Sequence, residues 1–203
     1  MPRFAANLSM LFTEVPFIER FARAAHAGFA AVECQFPYDF PPAAIRAALD
    51  RCGLVMVLHN LPAGDWAAGE RGLACHPDRG EEFRAGVEHA IAYATTLGVK
   101  KLNCLAGIKP PDVSAAHARA TLLDNLQYAA PRLAAASSIS GSRSIRTGCT
   151  VRTTNGIPIK TIATKIPIGV NATLMPSSAS GAPSHPFCAN NCVSATPATA
   201  VGS

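Results

Sequence analysis

The stretch Phe29–His59, FAAVECQFPYDFPPAAIRAALDRCGLVMVLH, decides the fold. FAAVEC is a short apolar run of the kind that fills a buried strand, and LVMVLH is a second one. Between them, PPAAIRAALDRCG opens with proline, whose missing N–H costs nothing in a first helical turn. It closes on Gly53, where a helix can stop in the left-handed conformation. Strands separated by a helix cannot pair as a hairpin; they lie parallel and are joined by a right-handed crossover.

The same strand-and-helix sentence is repeated on both sides. Upstream, FAANLS reads as a strand and a segment from Thr13, with Pro16 in its first turn, as a helix. Phe17, Phe21 and Ala25 recur there on one face, Glu19, Arg20 and Arg23 lie off it, and Gly28 stands at the stop. Downstream comes a long loop, NLPAGDWAAGERGLACHPDRG, then a helix marked by Phe83, Val87, Ala90, Ile91 and Ala94 that ends at Gly98. KKLNCLA is a fourth strand, and His117 to about Ala136 a fourth helix striped by Leu122, Leu126 and Leu133. Pro131 is expected to interrupt that last helix, because it removes a backbone donor. Four such units are half of an eight-stranded α/β barrel, and no Gly-rich phosphate turn follows the first strand as it would in a dinucleotide-binding sheet. The fold class is therefore α/β: a partial (β/α)8 TIM barrel of four βα units in residues 1–136, followed by an irregular, disordered tail in residues 137–203.

Charge divides the chain at the same place. All 13 acidic residues lie before residue 137, where 18 − 5 = 13 Lys and Arg balance them. The tail holds no Asp or Glu, and its Arg143, Arg146, Arg152, Lys160 and Lys165 account for the whole net charge of +5. Ser and Thr supply 20 of its residues, prolines interrupt its one apolar stretch, and Phe187 is its only aromatic side chain. Such material makes a poor core, and the abrupt change suggests out-of-frame or other foreign sequence after residue 136. Five scattered basic residues without aromatic interleaving do not form a nucleic-acid surface. Cys188 and Cys192 with His185 nearby lack the second paired motif of a zinc site. No apolar run is long enough to span a membrane, no leader is visible, and seven scattered cysteines do not resemble a secreted disulfide framework, so a cytoplasmic protein with reduced thiols is expected.

In a barrel of this kind the chemistry sits at the C-terminal ends of the strands, and here those ends are polar: Asn7, Glu33, His59 with Asn60, and Asn103. Asn7 and Asn60 can donate to a substrate oxygen or close a turn on their own backbone. Glu33 can touch substrate or cap a loop. His59 can act as a base or remain a core group. Arg71 in the long loop can hold a carboxylate with its planar guanidinium or pair with Glu70 or Asp65, and Trp66 covers the mouth or anchors the loop. The predicted substrate-binding set is Asn7, Glu33, His59, Asn60, Arg71 and Asn103.

The stretches FAANLSMLFTEVPFIERF, AGFAAVECQFPYDF, NLPAGDWAAGERGLACHP and FRAGVEHAIAYATTLGVKKLNCLAG resemble the hydroxypyruvate isomerase family of xylose-isomerase-like barrels over residues 1 to about 136. They are similar, too, to the related 2-oxo-tetronate isomerases. The resemblance implies a small hydroxy-keto acid as substrate, isomerised between α-hydroxy ketone and α-hydroxy aldehyde through an enediolate. It also implies two catalytic glutamates and a divalent metal contributed by the second half of the barrel. Residues 137–203 match neither, so no catalytic residue and no metal or other cofactor site is assigned to this chain. His59 and Asn103 depart from the family pattern, which the resemblance expects to be apolar and histidine at those places. Two other classes fit the residues less closely: a metal-dependent hydrolase or nuclease of similar barrel shape, and a non-catalytic half-barrel that binds a small carboxylate. An open half-barrel is also expected to self-associate through its exposed edges.

Overall fold

The computed structural model describes residues 3–139 and two short segments, 151–152 and 171–173, with side chains described through residue 136. The four expected βα units are all present: β1 (Ala6–Asn7) and α1 (Phe17–His26), β2 (Ala31–Glu33) and α2 (Pro42–Cys52), β3 (Val55–Asn60) and α3 (Gly80–Leu97), β4 (Leu102–Leu105) and α4 (Ala115–Ile139). A 3₁₀ turn at Pro77–Arg79 leads into α3. Gly53 and Gly98 end α2 and α3 at φ +62° and +70°, the left-handed cap that a residue without Cβ adopts most readily.

Two helices differ from the sequence expectation. α1 starts at Phe17 rather than Thr13, because Pro16 is extended (φ −54°, ψ 149°) and the residues before it are tied down as a loop. Arg20 ties them: Nη1 donates to the Leu8 carbonyl at 2.7 Å and Nε to the Val15 carbonyl at 3.0 Å. α4 runs through Pro131 instead of breaking there. Pro131 and Gln127, whose carbonyl loses its helical donor, are both exposed, so water can replace the missing bond while the buried Ala129, Ala130 and Leu133 keep the helix packed.

All strand pairs are parallel, in the order β1-β2-β3-β4. Two tail segments extend this sheet: β5 (Val151–Arg152) pairs with β6 (Asn171–Thr173), which lies beside β4 with Asn103 opposite Asn171. The edge of β4 that a bare four-stranded half would leave open is thus paired. The rest of residues 140–203, on which the expected irregular tail and the SHPFCANNC stretch fall, lies outside the described residues.

The helices cover one face of the sheet. Phe21, Ile45, Leu49, Met56 and Leu97 are fully buried in a cluster under β1–β3; Val87, Leu122, Leu126 and Cys104 belong to a second cluster under β4. Because side chains alternate along a strand, Val55 lies on the other face, the inside of the half-barrel, and is 57% exposed, whereas Met56 on the helix side is 1% exposed. The alternation is then broken once. Val32 pairs with Met56 but Glu33 with Leu58, so β3 carries one extra residue, a bulge at Val57. The bulge shifts the parity of everything after it: His59 falls opposite Leu102 of the helix-side cluster, and Asn60 opposite Asn103 on the interior.

Candidate active site

The strand ends carry a polar row on the barrel interior. Asn7 and Glu33 are register partners, and Asn7 Nδ2 donates to Glu33 Oε1 at 3.1 Å. Asn60 and Asn103 are register partners on the next strand pair, and Asn103 Nδ2 donates to Asn60 Oδ1 at 3.0 Å. Asn7 also closes a turn, its Oδ1 accepting the Ser9 N–H at 3.0 Å, which is the second of the two readings expected for this residue. Burial pushes the Glu33 carboxyl above the ordinary carboxylate range, and the Asn7 amide partly opposes that shift by hydrogen-bonding the charged form. Asn60 is 6% exposed; its Nδ2 donor and the Oδ1 acceptor of Asn103 make no hydrogen bond among the described residues.

His59 is not brought to this row. It has no exposed surface, and its ring meets Tyr38 edge to face at a centroid distance of 5.9 Å. Nδ1 lies 3.1 Å from the Asn60 carbonyl oxygen and 3.3 Å from the Tyr38 hydroxyl. A carbonyl can only accept, so Nδ1 carries the proton and Nε2 is left as a buried acceptor without a partner among the described residues. Desolvation lowers the His59 pKa to about 4, the Asn60 bond acting weakly in the other direction. The ring is neutral and sits where the histidine of a core would sit.

Arg71 stands on the long loop after β3. Its guanidinium lies 4.0 Å from the centre of the Trp66 ring, which in turn packs against Phe36 at 5.0 Å. Nη1 donates to the carbonyls of Trp66 and Glu70, at 3.0 and 2.6 Å. The alternative partners for Arg71 are otherwise engaged: the Glu70 carboxylate pairs with Arg79 and accepts the Asp65 N–H at 2.5 Å, and Arg79 also binds Glu82 at 2.7 Å. Arg79 accordingly holds the Glu70 carboxyl below its usual range. The loop is fixed to β4 where Gly72 (φ +120°) and Gly107 (φ +100°) cross; a Cβ on Gly72 would stand 2.2 Å from the Leu105 carbonyl oxygen. Among the described residues the rest of the Arg71 guanidinium makes no further hydrogen bond, and the stacked Trp66 limits how it can turn.

Three contributors were missed in the sequence: Tyr38, Phe36 and Ser9, whose Oγ accepts the Gln35 N–H at 2.8 Å. The signal for the first two was the aromatic spacing Phe36, Tyr38, Phe40 in a loop too short to need so many rings.

Among the described residues no group of three or more His, Cys, Asp or Glu side chains is placed to hold a metal ion. Glu33 has a neutral amide beside it rather than a second acid, so these residues alone do not fit a divalent cation. No described helix is long and apolar enough to cross a membrane.

A parallel sheet backed by helices, with its polar side chains gathered at the C-terminal strand ends, defines the class as an α/β-barrel protein of the kind whose sites are built there. Residues 21–140 match the family described as the xylose isomerase-like TIM barrel, and the chain belongs to that family. It is 56% identical over 133 residues to the hydroxypyruvate isomerase of Escherichia coli K12 and 50% identical over 135 residues to the 2-oxo-tetronate isomerase of Cupriavidus necator, in each case covering 66% of this chain and 52% of the relative. A crystal structure of an AP endonuclease, family 2, from Brucella melitensis is similar with a TM-score of 0.65 and 47% identity, over 68% of this chain and 53% of that one. The chain spans about half the length of these relatives.

Proposed function

We propose that residues 1–136 are the substrate-cradling half of an isomerase site for a small α-hydroxy keto acid, hydroxypyruvate or a 2-oxo-tetronate, and that the 203-residue chain binds such a compound without turning it over. The observation that carries this reading is the interior row itself. An α-hydroxy ketone presents a carbonyl that accepts and a hydroxyl that donates; Asn60 Nδ2 and Asn103 Oδ1 are a donor and an acceptor held side by side with no partner among the described residues. The free edge of Arg71, stacked on Trp66, suits the carboxylate of the same small molecule. The isomerase names of the relatives support this substrate class over phosphodiester cleavage, as does a row that holds one carboxyl and three amides.

Isomerisation moves a proton between adjacent carbons, which takes a base on one carbon, an acid on the other, and donors for the developing oxyanion. Glu33 is the one carboxyl in the row, and no Asp or Glu follows Asp124 to supply the second. Residues 137–203 are proposed to be out-of-frame or foreign sequence; a shifted frame of the coding DNA that encodes an apolar strand ending in glutamate supports that origin, and a continuous frame with no such alternative overturns it. The experiment for function is a calorimetric titration with hydroxypyruvate beside a turnover assay. Binding without conversion is expected, weakened about tenfold or more in Arg71→Ala. Absence of binding overturns the reading of the row, and turnover at an enzyme-like rate overturns the inactivity.

A further inference from the structure

We infer that Tyr38 and His59 are positioning residues for ligand binding: together they clamp the Asn60 main-chain carbonyl from the helix side of the sheet and so present the Asn60 side chain to Asn103 on the interior side. The inference rests on the binding role proposed above for the Asn60–Asn103 pair.

The geometry is that of one oxygen with two donors. Tyr38 Oη donates to the Asn60 carbonyl oxygen at 2.5 Å, and His59 Nδ1–H reaches the same oxygen at 3.1 Å while lying 3.3 Å from Tyr38 Oη. Asn60 is the last residue of β3, three residues beyond the bulge that makes the parity of this strand end exceptional. Its amide N–H is committed to the Gln35 carbonyl at 2.8 Å, and the next N–H, of Leu61, to the Asn103 carbonyl at 2.8 Å. Every main-chain group around the Asn60 side chain is therefore held, and the clamp on the carbonyl supplies the hold that comes from behind the sheet. Tyr38 is itself fixed: its ring meets His89 and Tyr93, each at 5.1 Å, and Tyr93 Oη donates to the Phe40 carbonyl at 3.0 Å. Two polar groups in an apolar layer are costly unless they bond, and here what they bond is the residue whose other face bears the free donor.

Two measurements test the clamp. The first needs no ligand: side-chain amide NMR signals of Asn60 and Asn103. Tyr38→Phe keeps the ring and removes the hydroxyl, and it is expected to move both signals and speed exchange of the Asn103 amide. Tyr128→Phe, which removes a hydroxyl from an exposed site near Glu88, is expected to leave them in place. His59→Asn, which keeps a donor near the Nδ1 position, is expected to preserve the signals that His59→Leu shifts. Unchanged signals in both Tyr38→Phe and His59→Leu overturn the inference. The second is hydroxypyruvate affinity: Tyr38→Phe and Asn60→Ala are each expected to weaken it about tenfold, and the double variant no further than Asn60→Ala alone. Fully additive losses overturn the positioning role, because a general loosening of the fold would act equally in either background. If the unaltered chain binds no hydroxypyruvate, the proposed function fails while the amide signals still decide the clamp.

Discussion

On the helix side of the sheet, His59 is sealed from solvent against the Tyr38 ring, while on the interior side its chain neighbour Asn60 meets Asn103 and has a donor without a partner among the described residues. Both are polar residues at the end of one strand, and both have the chemistry to bind a ligand. What separates them is the side of the sheet on which each lands, and a single extra residue in β3 sets that side. Polarity at a strand end thus identifies a candidate, and the parity of the strand decides what that candidate does. His59 braces the frame from behind, and Asn60 lies on the interior side beside Asn103.

Three changes break or sharpen this contrast. Inserting one alanine after Leu58 shifts His59 and Asn60 by one strand position and exchanges their faces, driving Asn60 among the helices without its partner, whereas deleting Val57 leaves both residues on the faces they now occupy. The insertion is expected to cost more than about 4 kcal/mol, read as collapse of the urea unfolding midpoint, and a near-normal midpoint would mean that strand parity does not fix the two faces. Next come the adjacent residues before the bulge. Met56→Ala, on the buried side, is expected to lose about 2–5 kcal/mol, and Val55→Ala, one residue away on the open side, under about 1 kcal/mol; equal losses would erase the distinction between the faces. The third uses pH. His59 in the folded chain refuses a proton until about pH 4, whereas the unfolded chain takes one up near 6.5, so between these values the unfolded state binds more protons and stability falls as pH falls. This amounts to up to about 3 kcal/mol lost on acidification from pH 6.5 to 4, and His59→Leu is expected to flatten the difference curve in that window. Glu33 contributes with the opposite sign: its raised folded pKa favours the folded state at low pH, and that contribution is lost as pH rises through the folded value. Parallel stability curves for the unaltered chain and His59→Leu over that window would place His59 outside the sealed layer.

Much of this was legible in the residues. Apolar runs of strand length, proline at helix starts and glycine at helix ends revealed the order of all four units, because those are local preferences that the surroundings did not overrule. The helix stripe of Leu122, Leu126 and Leu133 is buried as its spacing implied. Where local rules met tertiary support they gave way: Pro131 sits inside α4 because its lost bond faces water, and α1 begins late because Arg20 commits the preceding loop to itself.

The candidate site was half legible. Asn7, Glu33, Asn60 and Asn103 were visible as polar ends of apolar strands, and the structure joins them as two pairs, Asn7 with Glu33 and Asn60 with Asn103; Arg71 was visible as a cation in the long loop, but its ring platform and the occupation of Glu70 by Arg79 were not. Tyr38 was hidden because it acts through a main-chain carbonyl 22 positions away, a contact that no local pattern records.

By itself the sequence determined the strand-and-helix order, the parallel sheet and the loss of every acid after Asp124, since composition and short-range periodicity are properties of the chain alone. Only the tertiary structure decided which of His59 and Asn60 lies on the interior side of the sheet. Strand alternation has a period of two, so one inserted residue reverses every later assignment, and whether a residue is inserted is defined only against the strand beside it.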